Sequence, residues 1–283
     1  MVAQGSQEGG LIRLRRLFGR EGRAVVVACD QGEFDGPQPG LTDPLQVITA
    51  VGELPDGILM SPGTASRCIG YFSSRTGPLA IVRLNWNSNY AFGWDPADGV
   101  PAEVIDPEDG LRMGADIALV SLSLHTGSEH VDAANVSVFS GLVRRCHRLG
   151  LPVIGEFFPN AKTRSDPTAL HEDVRRGARI MYELGADCAK TFFCAGWEDV
   201  AQACPIPILA LGAERQPTDL DALKLASGQI GAGAQGVLFG RNVFQSSDPA
   251  RMVQALIAVV KRSVSPEVAA SQFLERPTVG AGA

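Results

Sequence analysis

Short, continuous apolar runs alternate along the chain with longer stretches in which apolar positions recur at helical spacing. Runs such as 24–29 and 57–60, rich in branched aliphatic residues, are typical of strands that are buried on both faces. Stretches rich in Gly, Pro and Asp separate them from the helical segments. Eight strands are therefore predicted, over residues 24–29, 57–60, 79–84, 116–124, 152–158, 186–191, 206–211 and 236–239.

Helical patterns fill most of the intervals between these strands. The pairs Asp43-Pro44, Asp166-Pro167 and Asp248-Pro249 predict helix starts, because aspartate caps a first turn and proline is tolerated there. Helices are predicted over about 11–19, 44–53, 109–113, 129–149, 166–184, 197–203, 217–230 and 248–264.

Regular alternation of strands and helices favours a parallel sheet with helices outside it. Eight such units fit a (β/α)₈ barrel in one domain better than an open, doubly wound α/β sheet. No Gly-x-Gly-x-x-Gly motif follows the first strand, which weakens a dinucleotide-binding interpretation. We expect the barrel over residues 24–265, an N-terminal tail and short helix over 1–23, and a C-terminal tail over 266–283, disordered after Pro277.

One interval departs from the alternation. Residues 85–107 form a long irregular insert after the third strand, and it contains Trp86, Tyr90 and Trp94. An irregular stretch of that length is more often a functional loop or lid than a simple connector.

Composition narrows the class of protein. Hydrophobic and charged contents of 45% and 20% are those of a soluble globular protein. The net charge of −6 argues against a broad nucleic-acid or anionic-membrane surface. No apolar run is long enough to span a membrane, and the first residues lack an apolar signal core, so a cytoplasmic protein is expected. The six cysteines form no Cys-x-x-Cys pair, which predicts free thiols and no structural zinc.

Lys190 stands out among only four lysines, the others being Lys162, Lys224 and Lys261. It lies in an apolar predicted strand, where burial of an ammonium group is costly unless the group is paired or neutral. A Schiff-base nucleophile must be a free amine, so such a site suits this chemistry. The alternative is a lysine whose head group reaches solvent or a partner carboxylate.

Other polar residues occur at or near the carboxyl ends of the predicted strands, where barrel enzymes place their catalytic groups. Asp30 is a candidate catalytic residue, and Arg83 and His125 are candidates for binding the substrate or its phosphate. Each has a structural alternative: Asp30 could cap a turn, Arg83 could pair with a carboxylate, and His125 could be a structural histidine. Glu156 is harder to dismiss, because a carboxylate in an apolar strand needs a partner or a raised pKa.

The loops after the seventh and eighth strands are rich in small residues. Gly212 and Ala213 follow one strand, and Gly240 and Arg241 follow the other. In barrels, loops at these positions often bind phosphate through backbone N–H groups, and arginine adds a fork of donors. Ordinary strand-to-helix turns are the alternative.

Four stretches together resemble the archaeal-type class I fructose-bisphosphate aldolases, in the superfamily that includes deoxyribose-phosphate aldolase and the autoinducer-2 phosphate thiolase. The resemblance runs in order over about residues 24–262, and the insert fits it least well. The stretches are Asp30-Gln31-Gly32 with the glycines after it, Gly127-Ser128-Glu129, the segment from Gly185 to Thr191, and the segment from Gly240 to Gln245.

The resemblance implies that Lys190 forms an imine with a ketone, that Asp30 orients substrate hydroxyls, and that Gly212, Gly240 and Arg241 hold a phosphate. Two departures matter. Gln31 stands where the family has histidine, and Phe158 stands where the fructose-bisphosphate aldolases have a proton-transferring tyrosine. We hypothesise that Glu156, two residues before Phe158 and so on the same strand face, replaces that tyrosine, with a raised pKa.

The predicted function is therefore a class I aldolase that acts on a phosphorylated ketose or related sugar phosphate, with no cofactor and no metal. Two alternatives stay open: an acyl transferase (thiolase) acting on a phosphorylated dione, and an inactive barrel that binds phosphate. The expected partner is a phosphorylated small molecule, with neither nucleic acid nor membrane, and the resemblance implies a homo-oligomer.

Overall fold

Eight parallel strands, buried along almost their whole length, close into a barrel. A computed structural model describes residues 5–68, 70–90 and 99–275. The ten strands of the described residues are β1 (Ala24–Ala28), β2 (Gly57–Met60), β3 (Leu79–Arg83), β4 (Asn85–Asn87), β5 (Pro101–Glu103), β6 (Ile117–Leu122), β7 (Val153–Phe157), β8 (Cys188–Thr191), β9 (Ile208–Leu211) and β10 (Gly236–Phe239).

The order of strands around the barrel is β1-β10-β9-β8-β7-β6-β3-β2, and each hydrogen-bonded pair is parallel. Neighbours in the barrel are therefore neighbours in the chain, apart from the small β4–β5 hairpin. The prediction of a single-domain (β/α)₈ barrel is confirmed.

Helices surround the barrel and begin largely where the sequence predicts. The carboxylates of Asp43, Asp166 and Asp248 each accept a backbone N–H of the following first turn. The helices are α1 (Gly5–Phe18), α2 (Gly32–Asp35), α3 (Pro44–Val51), α4 (Pro62–Ala65), α5 (Pro107–Arg112), α6 (Glu129–Arg148), α7 (Ala161–Arg164), α8 (Pro167–Glu183), α9 (Trp197–Ala203), α10 (Asp219–Gly231), α11 (Arg241–Phe244), α12 (Pro249–Arg262) and α13 (Pro266–Phe273), with 3₁₀ turns at Tyr71–Ser73 and Ser88–Tyr90.

The apolar core has two main parts, and a small aromatic cluster around Phe34, Tyr90 and Phe158 is separate from them. The larger part lies between the strands and the surrounding helices. The smaller part fills the barrel interior with side chains such as Val26, Ile81 and Leu209. Leu17 of α1 is completely buried in this inner part, and Leu14 and Phe18 pack against it. Helix α1 therefore closes the amino-terminal end of the barrel.

The structure differs from the sequence expectations mainly outside the barrel strands. Helix α1 begins at Gly5, inside the expected N-terminal tail. Residues 266–273, expected to belong to a C-terminal tail, form α13, in which Ala269 is buried. The insert is partly regular, because β4 pairs with β5. Trp94 and the tail after Pro277 lie outside the described residues.

Candidate active site

A cavity opens at the carboxyl-terminal end of the barrel, where the polar strand-end residues were expected to meet. It is bordered by side chains and backbone from both the strands and the loops that follow them. Its lining residues are Ala28, Asp30, Gln31, Phe34, Asp35, Gln38, Arg83, Tyr90, Glu156, Phe158, Lys190, Phe192, Leu211, Gly212, Ala213, Leu238, Gly240 and Arg241.

Lys190 lies on β8 and is only 4% exposed. It is in register with Glu156 on the neighbouring strand β7, so the two side chains point into the barrel at the same level. Their charged ends form an ion pair between Nζ and Oε1. Both interpretations of the sequence therefore hold in part, since the lysine is buried and also has a carboxylate partner.

Arg83 extends this pair into a row of four charges. Its Nη2 donates to Glu156 Oε2 at 2.6 Å and to Asp30 Oδ2 at 2.7 Å, and its Nε donates to Asp30 Oδ2 at 2.9 Å. Positive and negative groups alternate along the row Lys190–Glu156–Arg83–Asp30, so each buried charge has a neighbour of opposite sign that offsets its desolvation. Arg83, expected among the phosphate ligands, instead pairs with two carboxylates.

Glu156 and Arg83, the two inner groups of the row, keep their charges at neutral pH. Burial alone would raise the pKa of Glu156, but Arg83 and Lys190 outweigh burial and hold that pKa below its usual value. Burial likewise opposes the charge of Arg83, yet Glu156 and Asp30 raise its pKa further above the ordinary range. The expectation of a raised pKa for Glu156 is therefore wrong, because the sequence does not reveal that two cations flank it.

Two glycines let the loops after β9 and β10 approach the cavity. A Cβ atom on Gly240 would lie 2.2 Å from Gln31 Nε2, and one on Gly212 would lie 2.7 Å from the Phe239 ring. Ala213 has a φ of +48°, which turns the chain directly after Gly212. Glycine is required at both positions for packing.

Asn242 joins these two loops, a role that sequence reasoning missed. Its completely buried side chain donates from Nδ2 to the carbonyl oxygens of Gly212 (2.9 Å) and Glu214 (3.1 Å). Its Oδ1 accepts the backbone N–H of Gln216 at 2.8 Å. The four predicted phosphate-binding residues Gly212, Ala213, Gly240 and Arg241 thus lie together at one side of the cavity.

Aromatic rings form the other side of the cavity, and Tyr90 is the residue that sequence reasoning did not place there. It is 5% exposed and stacks on Phe158 with 4.0 Å between ring centres. Burial and the nearby Glu156 raise its pKa well above the usual value for tyrosine, so its hydroxyl keeps its proton. In the sequence, the length of the insert and its aromatic residues were the signals that could have placed Tyr90 at the cavity.

His125, expected among the substrate-binding residues, does not line the cavity. Its backbone has a φ of +56°, and its half-exposed imidazole pairs through Nδ1 with the buried carboxylate of Asp173 on α8. The strand β6 ends at Leu122, three residues earlier, so the chain has already left the barrel mouth when it reaches this histidine.

Glu33 is a further carboxylate that the sequence did not single out. It lies on α2, and neither of its buried carboxylate oxygens has a hydrogen-bond partner among the described residues. Burial raises its pKa to about 7, with Arg83 opposing that shift and Asp30 adding to it.

The described residues contain neither a metal-binding cluster nor a membrane-spanning helix. Among them, no three His, Cys, Asp or Glu side chains come together in a way that could hold a metal ion. Within the same residues, no helix has both the length and the apolar content needed to cross a membrane.

Comparison with known proteins assigns this geometry to a family. The profile of the DeoC/LacD family aldolases matches residues 24–246, which comprise the barrel from β1 to just beyond α11. The chain belongs to this aldolase family. The predicted class, an aldolase acting as a carbon–carbon lyase, is thereby confirmed.

Individual aldolase relatives align with nearly the whole chain. An uncharacterized aldolase of Saccharolobus solfataricus is 30% identical over 262 residues, which cover 89% of this chain and 94% of the relative. The 3-hydroxy-5-phosphonooxypentane-2,4-dione thiolase of Yersinia enterocolitica is 30% identical over 280 residues, covering 95% and 89%. A solved structure of a Schiff-base-forming fructose-1,6-bisphosphate aldolase superposes with a TM-score of 0.76 at 25% identity, covering 89% of this chain and 99% of that one.

Proposed function

We propose that this aldolase forms a Schiff base between Lys190 and the ketone of a phosphorylated substrate. The observation that carries the proposal is the position of Lys190, which is buried at the bottom of the cavity in contact with a carboxylate. Two solved relatives with the same fold are described as a Schiff-base-forming fructose-1,6-bisphosphate aldolase and an archaeal fructose 1,6-bisphosphate aldolase.

Glu156 is the base in this proposal. Its carboxylate is ionised and contacts the Nζ atom of Lys190. Because a lowered pKa makes it a weak base, Glu156 does not keep the proton that it takes from Nζ but passes it to the substrate oxygen that leaves as water. The free amine then adds to the ketone, and loss of water gives a protonated imine. Asp30, at the far end of the row, is positioned by Arg83 to accept hydrogen bonds from substrate hydroxyls.

In the cleavage direction, the bond between the carbons α and β to the imine breaks, and its electron pair forms the C=C bond of an enamine as the imine electrons move onto nitrogen. The hydroxyl proton of the leaving half passes to a base, which releases an aldehyde and leaves an enamine on Lys190. Protonation of the enamine carbon and addition of water to the imine then release the second product and return the amine. Every proton and electron pair is accounted for by the substrate, one water and side-chain acid–base groups.

The phosphate of the substrate would bind at Gly212, Ala213, Gly240 and Arg241. Glycine exposes backbone N–H groups at close range, and the arginine guanidinium suits the geometry of a phosphate. This side adjoins β8 in the barrel order, so a phosphate held there would place the adjacent ketone carbon above Lys190. A phosphorylated sugar or ketone, a homo-oligomer and a cytoplasmic location complete the proposal.

Borohydride trapping tests the central step. The protein is incubated with dihydroxyacetone phosphate or a panel of ketose phosphates, reduced and digested, and the peptides are weighed by mass spectrometry. We expect mass added at Lys190 in the unmodified protein and none in Lys190→Met. Lys224→Met, which changes an exposed lysine on α10, is the matched control and should trap normally. Trapping at another lysine, or at none, would contradict the proposal.

Acyl transfer is the second candidate, because the thiolase from Yersinia enterocolitica aligns with 95% of this chain. It is distinguished by adding coenzyme A together with a phosphorylated dione. Formation of an acyl-coenzyme A product that requires Lys190 would favour the thiolase, whereas release of an aldehyde without coenzyme A favours the aldolase.

A further inference from the structure

The cavity has two chemically different sides, and the barrel order sets them opposite each other. In the closed ring, β3 lies directly across from β9, with three strands between them in either direction. The loop after β9 carries Gly212 and Ala213, and the insert after β3 carries Tyr90. A substrate held by its phosphate at the glycine loops therefore extends over Lys190 toward the insert.

Four aromatic rings in contact with one another, here called the aromatic wall, line the cavity. They run from the loop after β1, past the insert and the end of β7, to the loop after β8: Phe34, Tyr90, Phe158 and Phe192. The distances between ring centres are 5.0 Å from Phe34 to Tyr90, 4.0 Å from Tyr90 to Phe158 and 5.0 Å from Phe158 to Phe192. All four line the cavity, in a chain of which only 6% is aromatic. Such a concentration of rings is typical of a surface that binds apolar groups.

The charged groups beneath the aromatic wall are already paired with each other. The Arg83 guanidinium carbon lies 4.9 Å from the centre of the Phe34 ring and 5.1 Å from that of Tyr90, so these rings cover it. Arg83 donates to Asp30 and Glu156, and the Tyr90 hydroxyl lies 3.4 Å from the backbone carbonyl oxygen of Glu156. Asp30 is assigned above to hydroxyls of the ketone half. The other groups offer a polyol packed against these rings no replacement for the hydrogen bonds to water that it would lose.

The insert that carries Tyr90 is held in place by buried amides, so the ring does not depend on a ligand for its position. Asn85 Oδ1 accepts the backbone N–H of Ser121 at 2.7 Å. Asn87 Nδ2 donates to Asn135 Oδ1 at 2.8 Å. Asn85 and Asn87 are completely buried. The aromatic wall is therefore preorganised, which favours binding of a rigid apolar group.

We propose that the aldehyde half of the substrate is uncharged and apolar, an aromatic or branched aliphatic aldehyde that packs against the aromatic wall. This inference rests on the proposed aldolase function and adds the class of the second reactant. Besides Arg83, a second cation lies close to the wall, since the Arg164 guanidinium carbon is 4.9 Å from the centre of the Phe158 ring. Arg164 does not line the cavity, and it donates to the Pro159 carbonyl oxygen at 2.6 Å. Because a cation at this place could bind a second substrate phosphate, that is the competing outcome of the test.

The first experiment measures aldol synthesis from dihydroxyacetone phosphate with a panel of acceptors: benzaldehyde, 3-methylbutanal, glyceraldehyde and glyceraldehyde 3-phosphate. We expect kcat/KM for benzaldehyde to exceed that for glyceraldehyde and for glyceraldehyde 3-phosphate at least about tenfold. A preference for glyceraldehyde 3-phosphate or for glyceraldehyde would overturn the inference while leaving the Schiff-base proposal intact.

Two adjacent phenylalanines provide matched variants. Phe192 lines the cavity, whereas Phe193 packs against Trp197 outside it. We expect Phe192→Ser to lower the ratio of kcat/KM for benzaldehyde to that for glyceraldehyde about tenfold, and Phe193→Ser to leave the ratio unchanged. Equal ratios in the two variants would overturn the inference, and thermal unfolding confirms that each variant is folded.

A binding measurement keeps the inference testable if no imine forms. Benzyl alcohol and glycerol 3-phosphate are titrated by NMR as unreactive mimics of the two kinds of aldehyde. We expect benzyl alcohol to bind the unmodified protein and Phe193→Ser, and to bind Phe192→Ser at least about fivefold more weakly. Benzyl alcohol binding that is insensitive to Phe192→Ser overturns the aromatic wall as a binding surface. Failure of trapping at Lys190 is a separate result that overturns the Schiff-base proposal.

Discussion

The glycine side and the aromatic side of the cavity are built in different ways. The glycine side consists of two short segments that follow adjacent strands, and the single side chain of Asn242 links them. The aromatic wall takes one ring from each of four separate segments, which pack together only after the barrel has closed. Backbone geometry therefore determines one side of the cavity, and long-range side-chain packing determines the other.

The row of charges between the two sides is where a single change has the largest expected effect. Glu156→Gln removes the carboxylate that contacts Lys190 and Arg83, and we expect kcat to fall about 10²- to 10⁴-fold. Steady-state kinetics with the ketose phosphate that traps best measures this fall.

Asp173→Asn is the control for this change, since Asp173 is also a buried carboxylate, but its partner His125 lies outside the cavity. We expect its kcat to stay within about twofold of the unmodified protein. Full turnover by Glu156→Gln would exclude Glu156 as the base that acts on Lys190.

Arg241→Gln tests the glycine side alone. We expect KM for a phosphorylated ketone to rise about 10- to 100-fold with little change in kcat, because a ground-state contact to phosphate is lost. KM for unphosphorylated dihydroxyacetone should not change. Arg262→Gln, an exposed arginine at the end of α12, is the matched control. An equal rise in KM for both ketones would argue that Arg241 does not bind the phosphate.

Glu33 on α2 does not line the cavity, but it predicts a pH dependence of stability. Its pKa is about 7 in the folded protein, compared with 4.5 for the ordinary group, so the folded state binds more protons between these values. The free energy of unfolding should therefore fall as pH rises from about 4.5 to 7. By pH 8 the cost of the ionised carboxylate reaches at most about 3 kcal/mol.

Glu33→Gln removes that cost. Urea denaturation at pH 5 and pH 8 should show the variant gaining stability relative to the unmodified protein as pH rises. Glu198→Gln on α9, an exposed position, should show no such gain. A Glu33→Gln variant whose stability difference is the same at both pH values would contradict the assignment.

The smallest effect on turnover is expected at His125, which belongs to neither side. His125→Ala should leave kcat/KM within about twofold, because the imidazole does not line the cavity. It should lower the free energy of unfolding by about 1–2 kcal/mol, since Asp173 loses its buried partner. A large loss of activity without loss of stability would show that the histidine reaches the substrate.

The predictable part of the fold consists of those strands and helices whose own sequence determines where they begin and end. The strands 57–60 and 236–239 were predicted with the bounds that β2 and β10 have. The strand predicted from Ile206 begins instead at Ile208, because Pro207 has no N–H to donate to a neighbour. Helix α13 was missed since its preceding serine and proline were interpreted as part of a tail, although Ser265 caps the helix by accepting the Val268 N–H.

The candidate site shows the same division. Asp30, Glu156 and Lys190 were singled out because a charge in an apolar strand is visible in the sequence, and the structure brings them together through Arg83. The lowered pKa of Glu156 was not predictable, because it depends on cations from two other strands. Tyr90 was not predictable either, since the ring that it stacks on lies 68 positions further along the chain and only the closed barrel joins them.

Closure of the barrel base by α1 has a consequence for the movement of water. Leu17 is completely buried at the end opposite the mouth, so within the described residues the mouth is the opening that remains for water as well as for substrate. In the proposed reaction, an aldehyde beside the rings would obstruct that opening. The proposed enamine would then be shielded from water until the first product departs, and the shape of the cavity would help to set the order of product release.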